Sequence, residues 1–337
     1  MTKYQYSAFN TVVRKIRNRP DVDSFLKGSK PLEEIFLLPN NLSSDRLKLY
    51  KEAYFGVGST DFYRTLLPNN NKLYIKMEYA NAMGNSHYSR FWVIYLFLCE
   101  ILEIIHPDFT KIIEVTSGSS GIALARASEI LGYNVTILVP SMLPEARIAP
   151  MQKKSVNVIK VDGYINDCMN LLKEMVQADG YYPTNHSEEG ADIIIKIFSR
   201  IGHEISQQKI SLDYAIIGMG NGTSTLAIAK TLLEFDKKVK IISYRPHFEV
   251  DPKDIVFGLI GANIECRHVP MAEELVDKIE FTTGINLAQI RDFFCDDTEI
   301  HNLGPSSLYG VYFALKLAEK EKNKKILTIG YDKNDRY

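Results

Sequence analysis

From residue 72 onward, short β-rich runs alternate with helical stretches, and that alternation leaves few folds open. The runs fall at 72–79, 111–115, 134–139, 156–161, 214–218, 238–243 and 325–329. Helical patterns occupy 90–105, 121–131, 165–178, 191–207, 223–235 and 306–319. Strands separated by helices pair in parallel, because a parallel neighbour needs a crossover connection. The pattern predicts an α/β fold of mostly parallel sheets flanked by helices, with ligands at the carboxyl ends of the strands. Residues 1–49 read differently, as a helical extension with a basic cluster at Arg14, Lys15, Arg17 and Arg19 that faces solvent.

Charge and composition exclude several classes. Lys plus Arg number 40 against 41 Asp plus Glu, so the chain offers no general attraction to nucleic acid or an acidic membrane. With 337 residues, 45% of them hydrophobic, there is room for one large or two ordinary domains. The longest apolar run, 91–99, is about half of the ~20 residues that span a bilayer, so no membrane segment is expected. The opening residues lack a basic region followed by an apolar stretch, and a cytoplasmic protein without a secretory signal is expected. Cys99, Cys168, Cys266 and Cys295 form no Cys-x-x-Cys pair and are read as buried thiols, with no metal site.

Three loops could hold a ligand. Thr116-Ser-Gly-Ser-Ser-Gly121 joins an apolar strand to a helix, where unpaired N–H groups and hydroxyls form either an anion cradle or a plain helix cap. Gly218-Met-Gly-Asn-Gly-Thr-Ser-Thr225 repeats that logic and looks like a phosphate cup. It is neither a dinucleotide fingerprint nor a Walker A loop, since Thr223 replaces the third glycine and no lysine follows. Gly304-Pro-Ser-Ser307 is a weaker signal and, alone, reads as an N-cap.

The order of these loops, with other segments, resembles the fold type II pyridoxal-phosphate enzymes of the cysteine synthase and cystathionine β-synthase family. The likeness runs over about residues 55–337. It includes Val57-Gly-Ser-Thr60, Leu73–Tyr79 with Asn81, Gly202-His-Glu-Ile205, Gly258-Leu-Ile-Gly-Ala262 and Asp332-Lys-Asn-Asp-Arg-Tyr337. The resemblance implies the two-domain, tryptophan synthase β-like architecture with pyridoxal 5′-phosphate as cofactor and an amino acid as ligand. By the same likeness, Thr116, Ser117, Ser119 and Ser120 would bind the amino acid's carboxylate, with Ser119 near the cofactor's 3′ oxygen, where many relatives carry Asn. Gly220, Asn221, Gly222, Thr223 and Ser224 would cup the 5′-phosphate. Ser306 would bond the pyridine nitrogen, and its neutrality suits β-elimination and β-replacement.

One departure stands out. The family's Gly-Ser-x-Lys-Asp-Arg segment carries the Schiff-base lysine, whereas this chain reads Gly84-Asn-Ser-His-Tyr-Ser-Arg90, one residue longer and without lysine. Anchored on Ser86 and Arg90, the lysine position is Tyr88, and no lysine lies between Lys76 and Lys111. A lysine amine links the aldehyde covalently and then serves as base; a phenol, with an ordinary pKa near ~10, does neither at neutral pH. His87 is a candidate replacement base, because imidazole titrates near neutrality. Asn185, His186, His203 and Tyr309 are assigned no role.

Three readings follow. The first is a cysteine synthase-like protein that keeps the cofactor and amino-acid pocket without the lysine, as a pseudoenzyme or with altered chemistry. The second is an active β-replacement or β-elimination enzyme acting on serine or cysteine derivatives. The third is a cofactor-free regulatory or interaction protein. Residues 82–184 are expected to form a smaller domain with the carboxylate loop; 50–81 and 185–337 a larger one with the phosphate cup; the site falls between them. The resemblance also implies a homodimer, and a more open cleft, because many relatives continue past the Arg-Tyr motif.

Overall fold

The computed structural model describes residues 7–184, 186, 191–247, 256–259, 266 and 268–336. Asn185, residues 260–262 and Tyr337 lie outside the described residues. The chain divides into two compact units. One holds residues up to 57, 82–84 and 88–197; the other holds 58–81, 85–87 and 198–337.

The first unit is built on a parallel four-stranded sheet in the order β5-β4-β3-β6, where β3 is Lys111–Val115, β4 Asn134–Pro140, β5 Val156–Val161 and β6 Tyr182–Pro183. Helix Ile165–Asp179 covers one face, with Cys168 and Leu172 packed on Ile113, Val115 and Leu138. Helix Ser89–Ile101 is apolar on every side and accordingly buried almost throughout. The N-terminal extension belongs to this unit. Its helix Ser44–Tyr54 sends Arg46 to Glu100 in a two-pronged pair, Nε to Oε1 at 2.8 Å and Nη2 to Oε2 at 2.7 Å. Tyr50 and Tyr133 donate to the same carboxylate at 2.6 and 2.5 Å. In the basic cluster Arg14 and Arg17 are exposed, while Arg19 grips Asp21 and the Pro39 carbonyl.

The second unit carries six strands in the order β1-β2-β10-β7-β8-β9. They are β1 Phe62–Leu67, β2 Asn71–Lys76, β7 Tyr214–Gly218, β8 Lys240–Arg245, β9 Lys278–Phe281 and β10 Lys325–Ile329. All neighbours are parallel except β1 and β2, an antiparallel pair. Helix Pro305–Ala318 lays Leu308, Val311 and Ala314 in the same core as Leu73, Ile216 and Ile326.

The α/β fold with parallel-dominated sheets is as expected, and three details differ from the sequence reading. Strands β1, β6 and β9 were not anticipated: β1 is half-exposed, β6 has 2 residues and β9 has 4, so none repeats an apolar pattern long enough to read. The 72–79 run ends at Lys76, followed by a 3-10 turn at Glu78–Ala80. The run placed at 238–243 lies two residues later. No helix among the described residues is long and apolar enough to cross a membrane.

Candidate functional site

In the first unit, β3 runs straight into the loop 116–118 and helix Ser119–Leu131. Thr116 Oγ1 closes the turn by accepting from the Gly118 and Gly121 amides at 3.0 and 3.2 Å. Gly118 adopts φ +140°, and a Cβ there would stand 2.3 Å from Arg147 Nε. That space belongs to the guanidinium, which is 1% exposed, donates to the Ser117 carbonyl at 3.2 Å and reaches Ser119 Oγ at 3.4 Å. A permanent cation therefore underlies a loop of amides and hydroxyls, an arrangement suited to an anion. Arg147 was missed by sequence reasoning.

Deeper in the same unit lies a second group that the sequence reading left unassigned. Glu114, in the middle of apolar β3, is 0% exposed. Its Oε2 accepts from Thr184 Oγ1 at 2.6 Å and the His186 amide at 3.1 Å. Its Oε1 accepts from the Val115 amide at 2.7 Å and lies 3.2 Å from His186 Nδ1. Ser120 Oγ also meets His186 Nδ1, at 3.4 Å, and accepts from Trp92 Nε1 at 3.1 Å. Serine, histidine and acid are the residue types of a hydrolytic triad, but here both partners meet the same ring nitrogen, so no relay runs through the imidazole. The findable signal was Glu114 itself, since a carboxylate inside an apolar strand requires partners.

Tyr88, half-buried, is the N-cap of helix Ser89–Ile101, and its ring meets the His186 ring edge-on at 5.0 Å. Just before it, Gly84 and Asn85 both take positive φ, +73° and +46°; Asn tolerates that left-handed region. His87 falls in the other unit, packed between Phe198 and Tyr331 at 5.0 and 5.1 Å. Tyr88, Ser120 and His186 are thus brought together, whereas His87 is not among them.

The glycine-rich loop of the second unit follows β7 and opens helix Thr223–Phe235. Asn221 Oδ1 accepts from the Thr223 amide at 3.1 Å and its hydroxyl at 2.7 Å, while Thr225 Oγ1 donates to the Gly218 carbonyl. Gly222 is held at φ +86°, and a Cβ there would come within 2.7 Å of His268 backbone. The remaining first-turn amides have no partner within the helix, and they carry its positive pole. Ser306 opens another helix of this unit, with Oγ donating to Asp332 Oδ1 at 3.4 Å. Lys76 is 0% exposed, paired with Glu204 Oε2 at 2.7 Å and bonded to the Thr60 carbonyl. His203, beside Glu204, instead meets Phe235, and burial with the nearby Arg200 charge depresses its imidazole pKa. Tyr309 is core.

The thiols need one correction. Cys99, Cys168 and Cys266 are buried, but Cys295 is exposed. Burial pushes the Cys99 and Cys168 thiols up to about 12, which removes their reactive thiolate at neutral pH. Treatment of the native protein with a thiol reagent is expected to modify Cys295 first, read by peptide mass; equal labelling of Cys99 would contradict this packing.

The family model described as pyridoxal-phosphate dependent enzyme matches residues 57–329. The chain belongs to that family. Among relatives of this chain, cysteine synthase B of Pseudomonas aeruginosa is 26% identical over 295 residues, covering 83% of this chain and 93% of that one. A cysteine synthase of a Flavobacterium species is 25% identical over 205 residues, 58% of this chain; the match spans 65% of that enzyme, less than two thirds of its length. The fold is shared with an O-acetylserine dependent cystathionine beta-synthase from Helicobacter pylori, with TM-score 0.74, 23% identity, and 85% of this chain and 96% of that one covered. Family membership implies pyridoxal phosphate as cofactor. The residues present fit its anionic end: Gly222, at φ +86°, turns the chain into a helix N-terminus that opens with the buried hydroxyls of Thr223 and Ser224.

Proposed function

We propose that this protein is a cysteine synthase-like member of the family that binds pyridoxal phosphate and an amino acid without a Schiff-base lysine, as a pseudoenzyme or with altered chemistry. The observation that carries the reading is Tyr88, at the helix start where the resemblance sets the lysine. Lys76, the preceding lysine, is already engaged by Glu204 and Thr60. When bound, pyridoxal phosphate supplies an aldehyde and an electron-withdrawing ring to an amino acid. The protein's own part is positional. Gly220, Asn221, Gly222, Thr223 and Ser224 would hold the phosphate, Ser306 would bond the ring nitrogen, and Thr116, Ser117, Ser119 and Ser120 would hold the amino acid's carboxylate, with Arg147 beneath their loop. A second reading, turnover of serine or cysteine derivatives by β-replacement or β-elimination, is favoured by one observation: an imidazole, His186, beside Tyr88. We propose a homodimer on the family likeness alone.

The test is a titration of the purified protein with pyridoxal phosphate, followed by melting temperature, then borohydride reduction after excess cofactor is removed, and intact mass. The melting point is expected to rise, since a ligand at a hundredfold its Kd adds about 2.7 kcal/mol to apparent stability, while the mass stays unchanged. A gain of cofactor mass at one lysine would sink the lysine-free reading. No stabilisation would sink the retained pocket and leave the cofactor-free alternative.

A further inference from the structure

The Glu114–His186 couple is not accounted for by cofactor or carboxylate binding. It is buried, with Glu114 at 0% and His186 at 6% exposure, and directly backs Ser120 of the 116–120 loop. Glu114 accepts from three fixed donors, two backbone amides and the Thr184 hydroxyl. His186 Nδ1 lies 3.2 Å from its Oε1 and 3.4 Å from Ser120 Oγ, so the carboxylate and the loop hydroxyl meet at one ring nitrogen.

We propose that His186, anchored on Glu114, is the proton-coupling residue of the amino-acid carboxylate site, so that an anion seated on the 116–120 loop draws a proton onto the imidazole. This rests on the reading of that loop as the carboxylate site. With His186 neutral, the couple carries the net negative charge of Glu114 behind Ser120 and opposes an incoming carboxylate. With His186 as imidazolium, the couple is neutral and the opposition is lifted. Binding and protonation therefore favour each other, by linkage. The proton comes from solvent.

Among the described residues, the ionisable groups facing His186 are Glu114 from β3 and the Tyr88 phenol from the helix start; Arg147 lies at the same loop against Ser117 and Ser119. Glu188 and Glu189 follow in sequence and lie outside the described residues. The sign follows from the couple. The ligand raises the imidazole's proton affinity, so its own affinity is highest below the imidazole's titration range and falls as pH rises through it.

The experiment is histidine-selective NMR titration of the full chain with and without saturating L-serine, alongside L-serine affinity by calorimetry between pH 5.5 and 8.5, as a range of about one to two units either side of an ordinary imidazole. The resonance absent in His186→Asn is expected to titrate at least about one unit higher with L-serine, equivalent to about tenfold weaker L-serine binding at the alkaline end. Glu114→Gln, which keeps the shape and removes the counter-charge, is expected to move that pH dependence to lower pH. Should His186→Asn fail to fold, the resonance displaced in Glu114→Gln supplies the assignment. L-serine binding with an unmoved His186 titration overturns the coupling and leaves the proposed carboxylate site standing. Absence of L-serine binding at every pH overturns both.

Discussion

Tyr88→Lys is expected to convert a protein that gains no mass on borohydride reduction into one that gains a single cofactor mass at residue 88. The substitution places an ε-amine at the N-cap of a 13-residue helix, where the positive pole disfavours the ammonium and favours the neutral amine that reacts with an aldehyde. His186, 5.0 Å from the ring at that position, gives the new amine a neighbour able to take its proton. His87→Lys is the register control, since its side chain packs with Phe198 and Tyr331 in the other unit. Mass gained by His87→Lys and not by Tyr88→Lys would move the lysine position by one residue and discard Tyr88.

Arg46→Met is expected to cost the first unit about 3 kcal/mol, the low end of the scale for breaking a buried ion pair, since the two side chains keep 15% and 8% exposure. Methionine keeps the apolar stem, so the loss reports the charge. Burial pushes the Glu100 carboxyl up, but hydrogen bonds from Arg46, Tyr133 and Tyr50 and the Arg46 charge outweigh it, and its pKa is lowered on balance. A carboxyl held below its unfolded value contributes stability above the unfolded range and loses it as pH falls through the folded one. Without Arg46, its hydrogen bond and its charge no longer oppose burial, and the carboxyl is held down less. The gap between wild type and variant should therefore be widest near neutrality and narrow on acidification, read by urea unfolding followed at Trp92, the chain's single tryptophan, buried in this unit. A gap that stays constant with pH would mean that the Glu100 charge is not what Arg46 stabilises.

What could be read from the residues was local. The loops at 116–121 and 218–225 were legible because small and hydroxylated residues crowd the step from strand to helix, a signal carried within eight positions. Helices such as Thr223–Phe235 announced themselves by period and length. Glu114 and His186 did not, because the bond between the His186 amide and Glu114 joins residues 72 apart, and nothing near either one specifies the other. Arg147 was hidden in the same way, 30 positions from the carbonyl it holds. The β1 strand escaped because an edge strand with irregular burial carries no alternation.

The division of the chain also bears on how it is made. The chain passes from one unit to the other at 57–58, 81–82, 84–85, 87–88 and 197–198, so cutting at a single point liberates neither. The inner neighbour of β2 is β10, and the Asn71 side chain accepts from an amide 253 residues later. During synthesis the β1–β2 hairpin must wait for β10 with its inner edge bare, while the four-stranded sheet has all its strands from residue 183 onward. Emergence from the ribosome therefore favours the first unit, and the open edge of β2 is the segment for which a chaperone would compete with aggregation.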